Sequence, residues 1–146
     1  MPTKKKSLNP KPRPKPGPGP APPVLKYKLS SGLFALPAAA QSVDWALVND
    51  SGTTQGVRVT VYQGGVGVAK TVVPPGPLSL SLNANFVTHN ANSVGVGQPF
   101  QIGFYYEVIL ETKDLRVLPC VVVWENHGGT AIAGTLIAAG DFVDVS

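Results

Sequence analysis

The opening 23 residues, MPTKKKSLNPKPRPKPGPGPAPP, set the strongest limit on what this chain can fold into. Pro2, Pro10, Pro12, Pro14, Pro16, Pro18, Pro20, Pro22 and Pro23 are nine of its 15 prolines, and from Pro10 to Pro20 every second residue is proline. Each proline fixes φ, removes a backbone donor and drives the preceding residue out of the helical region. Neither a helix nor a sheet ladder survives that spacing. Polyproline II is the conformation left, rising about 3.1 Å per residue, so residues 10–23 reach roughly 40 Å. Residues 1–23 therefore read as an extended arm, and residues 24–146 must supply the packed domain.

Charge divides the chain in the same way. Lys4, Lys5, Lys6, Lys11, Arg13, Lys15, Lys26 and Lys28 are eight cations with no acid among them. Beyond residue 28, Arg58, Lys70, Lys113 and Arg116 stand against Asp44, Asp50, Glu107, Glu111, Asp114, Glu125, Asp141 and Asp144, so four minus eight leaves −4 within a total of +4. Such asymmetry marks a tail that docks on something, and a basic arm and an acidic body attract each other between copies.

The body is long enough for one core and too short for two. It is rich in Val, Gly, Thr and Ala, with charged residues at only 14% of the chain, so strands should dominate. No run of 18 apolar residues exists, so no membrane-spanning helix is expected. The start MPTKKK passes straight into proline without an apolar stretch, so no secretory signal peptide is expected either. Cys120 is the one cysteine, which rules out an intrachain disulfide, and its setting LPCVVVW reads as a buried strand with an inert thiol.

Period-two alternation predicts the strands. In residues 24–36, Leu25, Tyr27 and Leu29 alternate until Ser30, Ser31 and Gly32 interrupt. SVDWALVN at 42–49 puts Val43, Trp45 and Leu47 on one face, and NDSGTTQG supplies turn chemistry. GVRVTVY at 56–62 turns Val57, Val59 and Val61 inward and Arg58, Thr60 and Tyr62 outward. Gly64-Gly65 predicts a hairpin from which 66–73 pairs back, VPPGP breaks the sheet, and Leu78, Leu80 and Leu82 resume the alternation. Residues 86–98, rich in Asn, Gly and Ser, read as a long loop. FQIGFYYEVILE at 100–111 is strongly β. VLPCVVVWE reads as a central strand buried on both faces, with Pro119 at a bulge or at the strand's entry. NHGG is a tight turn, and 130–137 and 141–145 close the fold. Seven to nine short strands predict an all-β, antiparallel jellyroll or immunoglobulin-like β-sandwich carrying the proline-rich arm.

No catalytic constellation is present. His89 and His127 lie in Asn- and Gly-rich loops without metal-ligand spacing. No serine sits in a Gly-x-Ser-x-Gly elbow, and GGVGVAK at 64–70 lacks the spacing and following helix of a phosphate loop. Neither an enzyme nor a cofactor or metal site is expected.

From Trp45 onward the order of signatures resembles a group of small β-sandwich proteins of spore-forming Firmicutes, some of which build spore appendages. The matching stretches are WALVNDSGTTQGVRVTVYQ, VPPGPLSLSL, FYYEVILETKDLRVLPCVVVWE and NHGGTAIAGTLIAAGDFVDV, about 100 residues in all. The resemblance implies jellyroll-like subunits whose N-terminal connector reaches into neighbouring copies, giving an extracellular or spore-surface filament reached without a secretion signal. Connectors of that group often carry cysteines; this arm has none.

Sandwich edges invite an added strand from another copy, and a head-to-tail contact yields open helical filaments. The expected subunit contacts are Pro12, Pro14, Pro16, Pro18 and Pro20 as a stiff cable, with Val24, Leu25, Tyr27 and Leu29 as the pairing portion, because only they donate backbone hydrogen bonds regularly. The expected partner is thus another copy of the chain. A second reading is a small jellyroll capsid or phage decoration protein whose basic arm lies on nucleic acid. A third is a β-sandwich ligand-binding module, with Tyr62, Tyr105 and Tyr106 as candidate contacts.

Overall fold

A computed structural model of the chain describes residues 17, 24–37, 40, 42–93, 104–125, 130–132 and 135–146. The arm prolines Pro12, Pro14, Pro16, Pro18 and Pro20, and His127, lie outside these residues. The strands are β1 (Tyr27–Ser30), β2 (Phe34–Ala35), β3 (Ser42–Asn49), β4 (Gln55–Gly64) and β5 (Thr71–Val72), followed by β6 (Leu78–Leu82), β7 (Val87–Ser93), β8 (Tyr105–Thr112), β9 (Val117–Trp124) and β10 (Val143–Asp144). A single 3-10 turn at Ala139–Asp141 is the only helical element among the described residues.

Every strand pair is antiparallel. The larger sheet runs β10-β1-β8-β4-β5, with β2 also on β8 and β6 also on β4; the smaller runs β7-β3-β9. The inward rows follow from the alternation. Val57, Val59 and Val61 of β4, and Tyr106, Val108 and Leu110 of β8, meet Val43, Trp45 and Leu47 of β3 and Val117, Val121 and Val123 of β9 in one buried cluster. Each such side chain contributes about 1.5–3 kcal/mol relative to exposure. Two antiparallel sheets closed on a shared apolar core make the chain an all-β sandwich.

The strand buried on both faces is β8, not β9. Glu107 and Ile109 on the outer face of β8 are buried along with its inward residues, whereas β9 alternates between buried and more exposed positions at the edge of the smaller sheet. The β9 run is apolar throughout, which conceals its alternation. Pro119 sits inside β9 opposite Leu47, in an unbroken register. No bulge is needed. Val121 N–H donates outward to Ile137 O at 2.9 Å, and Pro119, two residues earlier, shares that orientation, so its missing N–H removes nothing from the β3 ladder.

Residues 87–93 form β7 rather than a loop, pairing along β3 from Val48↔Val87 to Ser42↔Ser93. The long alternating β3 offers an open edge whose backbone groups need partners, and this outweighs the weak strand propensity of VTHNANS. The hairpin after Gly64 is shorter than its apolar run implied, since only Thr71 and Val72 pair back on β4. In the closing segment, Ala131 and Ile137 make isolated bridges to β9, and Asp141 lies in the 3-10 turn.

One polar hub ties the connections at the end of the sandwich where β3 stops and β4 starts. Asn49 is fully buried, and its Nδ2 donates to Thr53 O, Leu82 O and Asn83 O at 2.8, 2.9 and 3.0 Å. Its Oδ1 accepts from Ser51 N at 3.0 Å, while Gln55 Nε2 donates to Ser51 Oγ at 3.0 Å. Gly52 takes φ +74°, a left-handed conformation natural for glycine in this turn.

Candidate functional site

The root of the arm is anchored in the larger sheet. β1 pairs with β8 from Tyr27↔Thr112 to Ser30↔Ile109 and with β10 at Leu29↔Asp144 and Ser30↔Val143. Lys26 N donates to Thr112 O at 3.0 Å, and Val145 N donates to Lys28 O at 2.7 Å. Of the residues expected to pair with another copy, Tyr27 is held on β8 and Leu29 on both β8 and β10 by their own chain, with Leu29 in the core. Leu25 is half-buried just before the strand, and Val24 is 82% exposed. The N-terminal end of β1, at Tyr27, lies at the end of the sheet marked by Thr112 and Val57, which pair with each other.

Charged rows organise the outer face of this sheet. Lys28, Glu111 and Arg58 lie side by side across β1, β8 and β4. Arg58 donates from Nε and Nη2 to the two oxygens of Glu111, each at 2.5 Å, which holds the Glu111 carboxyl below its usual value and raises Arg58. The next row, Ser30, Ile109 and Thr60, is buried. Beyond it, Glu107 accepts from Ser30 Oγ at 2.6 Å and from Lys70 Nζ. Burial pushes the Glu107 carboxyl up, but bonds from Lys70 and Ser30, with the charges of Lys70 and Lys28, outweigh it and hold it below its usual value.

Past Glu107, at the opposite end of the sheet from the arm root, lies a groove of about 480 Å³. Leu33, Tyr62, Val66, Val68 and Tyr105 line it, with the Lys70–Glu107 pair in one wall. Lys70 Nζ lies 5.4 Å from the centre of the Tyr62 ring. Gly67, at φ +73°, and the bond from Val68 N to Gly65 O form a turn that leaves Val66 93% exposed and Val68 53% exposed. Tyr105 is 45% exposed, whereas Tyr106 is fully buried and unavailable as a surface contact. Tyr62 and Tyr105 were visible as candidate contacts in the sequence. Leu33, Val66 and Val68 were not, although two valines within GGVGV are a signal, since turn tips are ordinarily polar.

The remaining reactive groups are scattered. His89 is exposed on β7. Cys120 is half-buried on β9, and burial pushes its thiol pKa up, which suppresses the thiolate. No cluster of three or more His, Cys, Asp or Glu suited to a metal ion occurs among the described residues, and no helix among them is long and apolar enough to cross a membrane.

No protein-family model matches the chain, and no curated protein matches it in sequence. Among solved structures it is similar to the Anabaena sensory rhodopsin transducer, with a TM-score of 0.39 and 12% identity, over 69% of this chain and 98% of that one.

Proposed function

We propose that the chain is a structural subunit that assembles with copies of itself into an open helical filament, extracellular or on a spore surface, through its N-terminal arm. The observation that carries this reading is the anchored root. β1 is paired with β8 along its length and with β10 at Leu29 and Ser30, so Val24 lies just outside a fixed strand at one end of the sheet. A stiff proline-rich arm of roughly 40 Å on such a base suits reaching a neighbour. Its excess of cations meets a body of opposite net charge. Tyr27 and Leu29 then act as the anchor, while Val24, Leu25 and the arm prolines supply the contact between copies.

Negative-stain imaging of the full chain and of a chain lacking residues 1–23 tests this. Filaments from the first, and folded, dispersed particles with an unchanged β-type circular dichroism spectrum from the second, are the expected result. Filaments from the truncated chain would remove the arm from the mechanism. Lys4, Lys5, Lys6, Lys11, Arg13 and Lys15 also suit a nucleic-acid-facing arm neutralising about six phosphates. Binding to single- or double-stranded DNA that weakens steeply with salt would favour that second reading.

A further inference from the structure

We propose that the groove between Tyr62, Tyr105 and the 65–68 turn is the acceptor for the proline-rich arm of a second copy. This inference rests on the arm-mediated assembly above and names the surface that the arm would occupy.

Chemistry recommends the occupant. The groove presents two tyrosines and three aliphatic side chains, and its one buried acid, Glu107, is paired with Lys70. A shallow apolar trough walled by tyrosines receives proline rings well, because a polyproline II segment is already ordered and gives up little conformational freedom on docking. With three residues per turn, Pro10, Arg13 and Pro16 share one edge of such a helix, and Pro12, Lys15 and Pro18 share another. Each edge offers rings about 19 Å apart with a cation midway, by the rise of about 3.1 Å per residue. One ring of an edge can settle between Tyr62 and Tyr105 while the cation stays at the rim, facing the acidic body. An occupant of the groove would also cover Val66 and Val68, whose exposure has no account among the described residues.

Geometry recommends a second copy over the chain's own arm. The arm root lies at the Thr112 end of β8, and Tyr105 lies at the other end, seven residues or about 24 Å away. To reach its own groove the arm would have to reverse direction, which a run with proline at every second position resists. A copy displaced along the strand axis presents its groove beyond the arm root. Donor at one end and acceptor at the other make a heterologous contact, the kind that propagates.

Two full-length variants test this. Val66→Lys with Val68→Lys places like charge where the basic arm would lie, at positions exposed enough to leave the fold intact. Pro12→Gly, Pro14→Gly, Pro16→Gly, Pro18→Gly and Pro20→Gly together remove the arm's stiffness and its rings while keeping the groove. Assembly is followed by light scattering and imaging. Each variant alone should need about tenfold or more protein to assemble. Mixed, the intact arm of the first and the intact groove of the second should give one-to-one heterodimers that grow no further. If the lysine variant assembles like the parent while the glycine variant does not, the arm reading stands and the groove is the wrong acceptor. If both assemble like the parent, the arm reading falls as well. Parent monomers with the arm folded onto their own groove would overturn the choice of a second copy.

Discussion

Replacing Asn49 with alanine should be among the most damaging single changes available on this surface-connected end of the sandwich. The side chain is fully buried and links three carbonyls, of Thr53, Leu82 and Asn83, to the N–H of Ser51. Leu82 and Ser51 are themselves buried, so alanine leaves a carbonyl and an N–H without partners where water reaches poorly. At about 1–3 kcal/mol for each group left unsatisfied, the expected loss is about 3–4 kcal/mol. That is a large share of the roughly 5–15 kcal/mol typical of a whole domain. Urea unfolding followed by tryptophan fluorescence should show a lower midpoint with an unchanged slope, since the surface exposed on unfolding stays the same. Asn49→Asp should be no milder, because it sets a second anionic oxygen against three carbonyls. A loss below about 1 kcal/mol for the alanine variant would refute the hub, and with it the account of how this end of the sandwich is closed.

Leu29→Ala should cost about 2–4 kcal/mol in the same assay, because Leu29 sits in the shared core, whereas Val24→Ala should be neutral. Glu107 and Glu111 have depressed carboxyl pKa values in the fold, so the unfolded chain binds more protons just below their ordinary value of 4.5. Their stabilisation should be complete above that pH and lost as pH falls through the folded values, and Glu107→Gln should flatten this dependence in acid titrations of the unfolding midpoint. Cys120 should alkylate with iodoacetamide at pH 8 several-fold more slowly in the native chain than in urea; equal rates would contradict its burial.

Alternation was a sound guide wherever one face of a strand meets the core and the other meets solvent. SVDWALVN forms β3 over the span its pattern marks, and Val57, Val59 and Val61 turn inward as their spacing requires. It failed where burial is decided by neighbours. Thr60 reads as an outward residue yet is buried beside Ile109, because β8 lies between β1 and β4 and the side chains of the three strands crowd together in this row. VTHNANS has too few apolar residues to announce a strand, and its pairing comes from the backbone need of β3. For the site, Tyr62 and Tyr105 were legible as aromatics, but nothing in one dimension brings Leu33 beside Val66, some 30 residues apart in sequence. Nor does sequence spacing say that the arm root and the groove occupy opposite ends of β8.

The placement of β1 bears on how such a chain would carry tension. A pull transmitted to Val24 along the strand axis meets the ladders to β8 and β10 edge-on, so their hydrogen bonds resist together rather than opening one after another like a zipper. Force spectroscopy with the handle at the N-terminus should therefore give a higher rupture force than with the handle at Ser146, where the two-residue β10 peels first. Force that enters at the arm root therefore meets the domain along its more resistant direction.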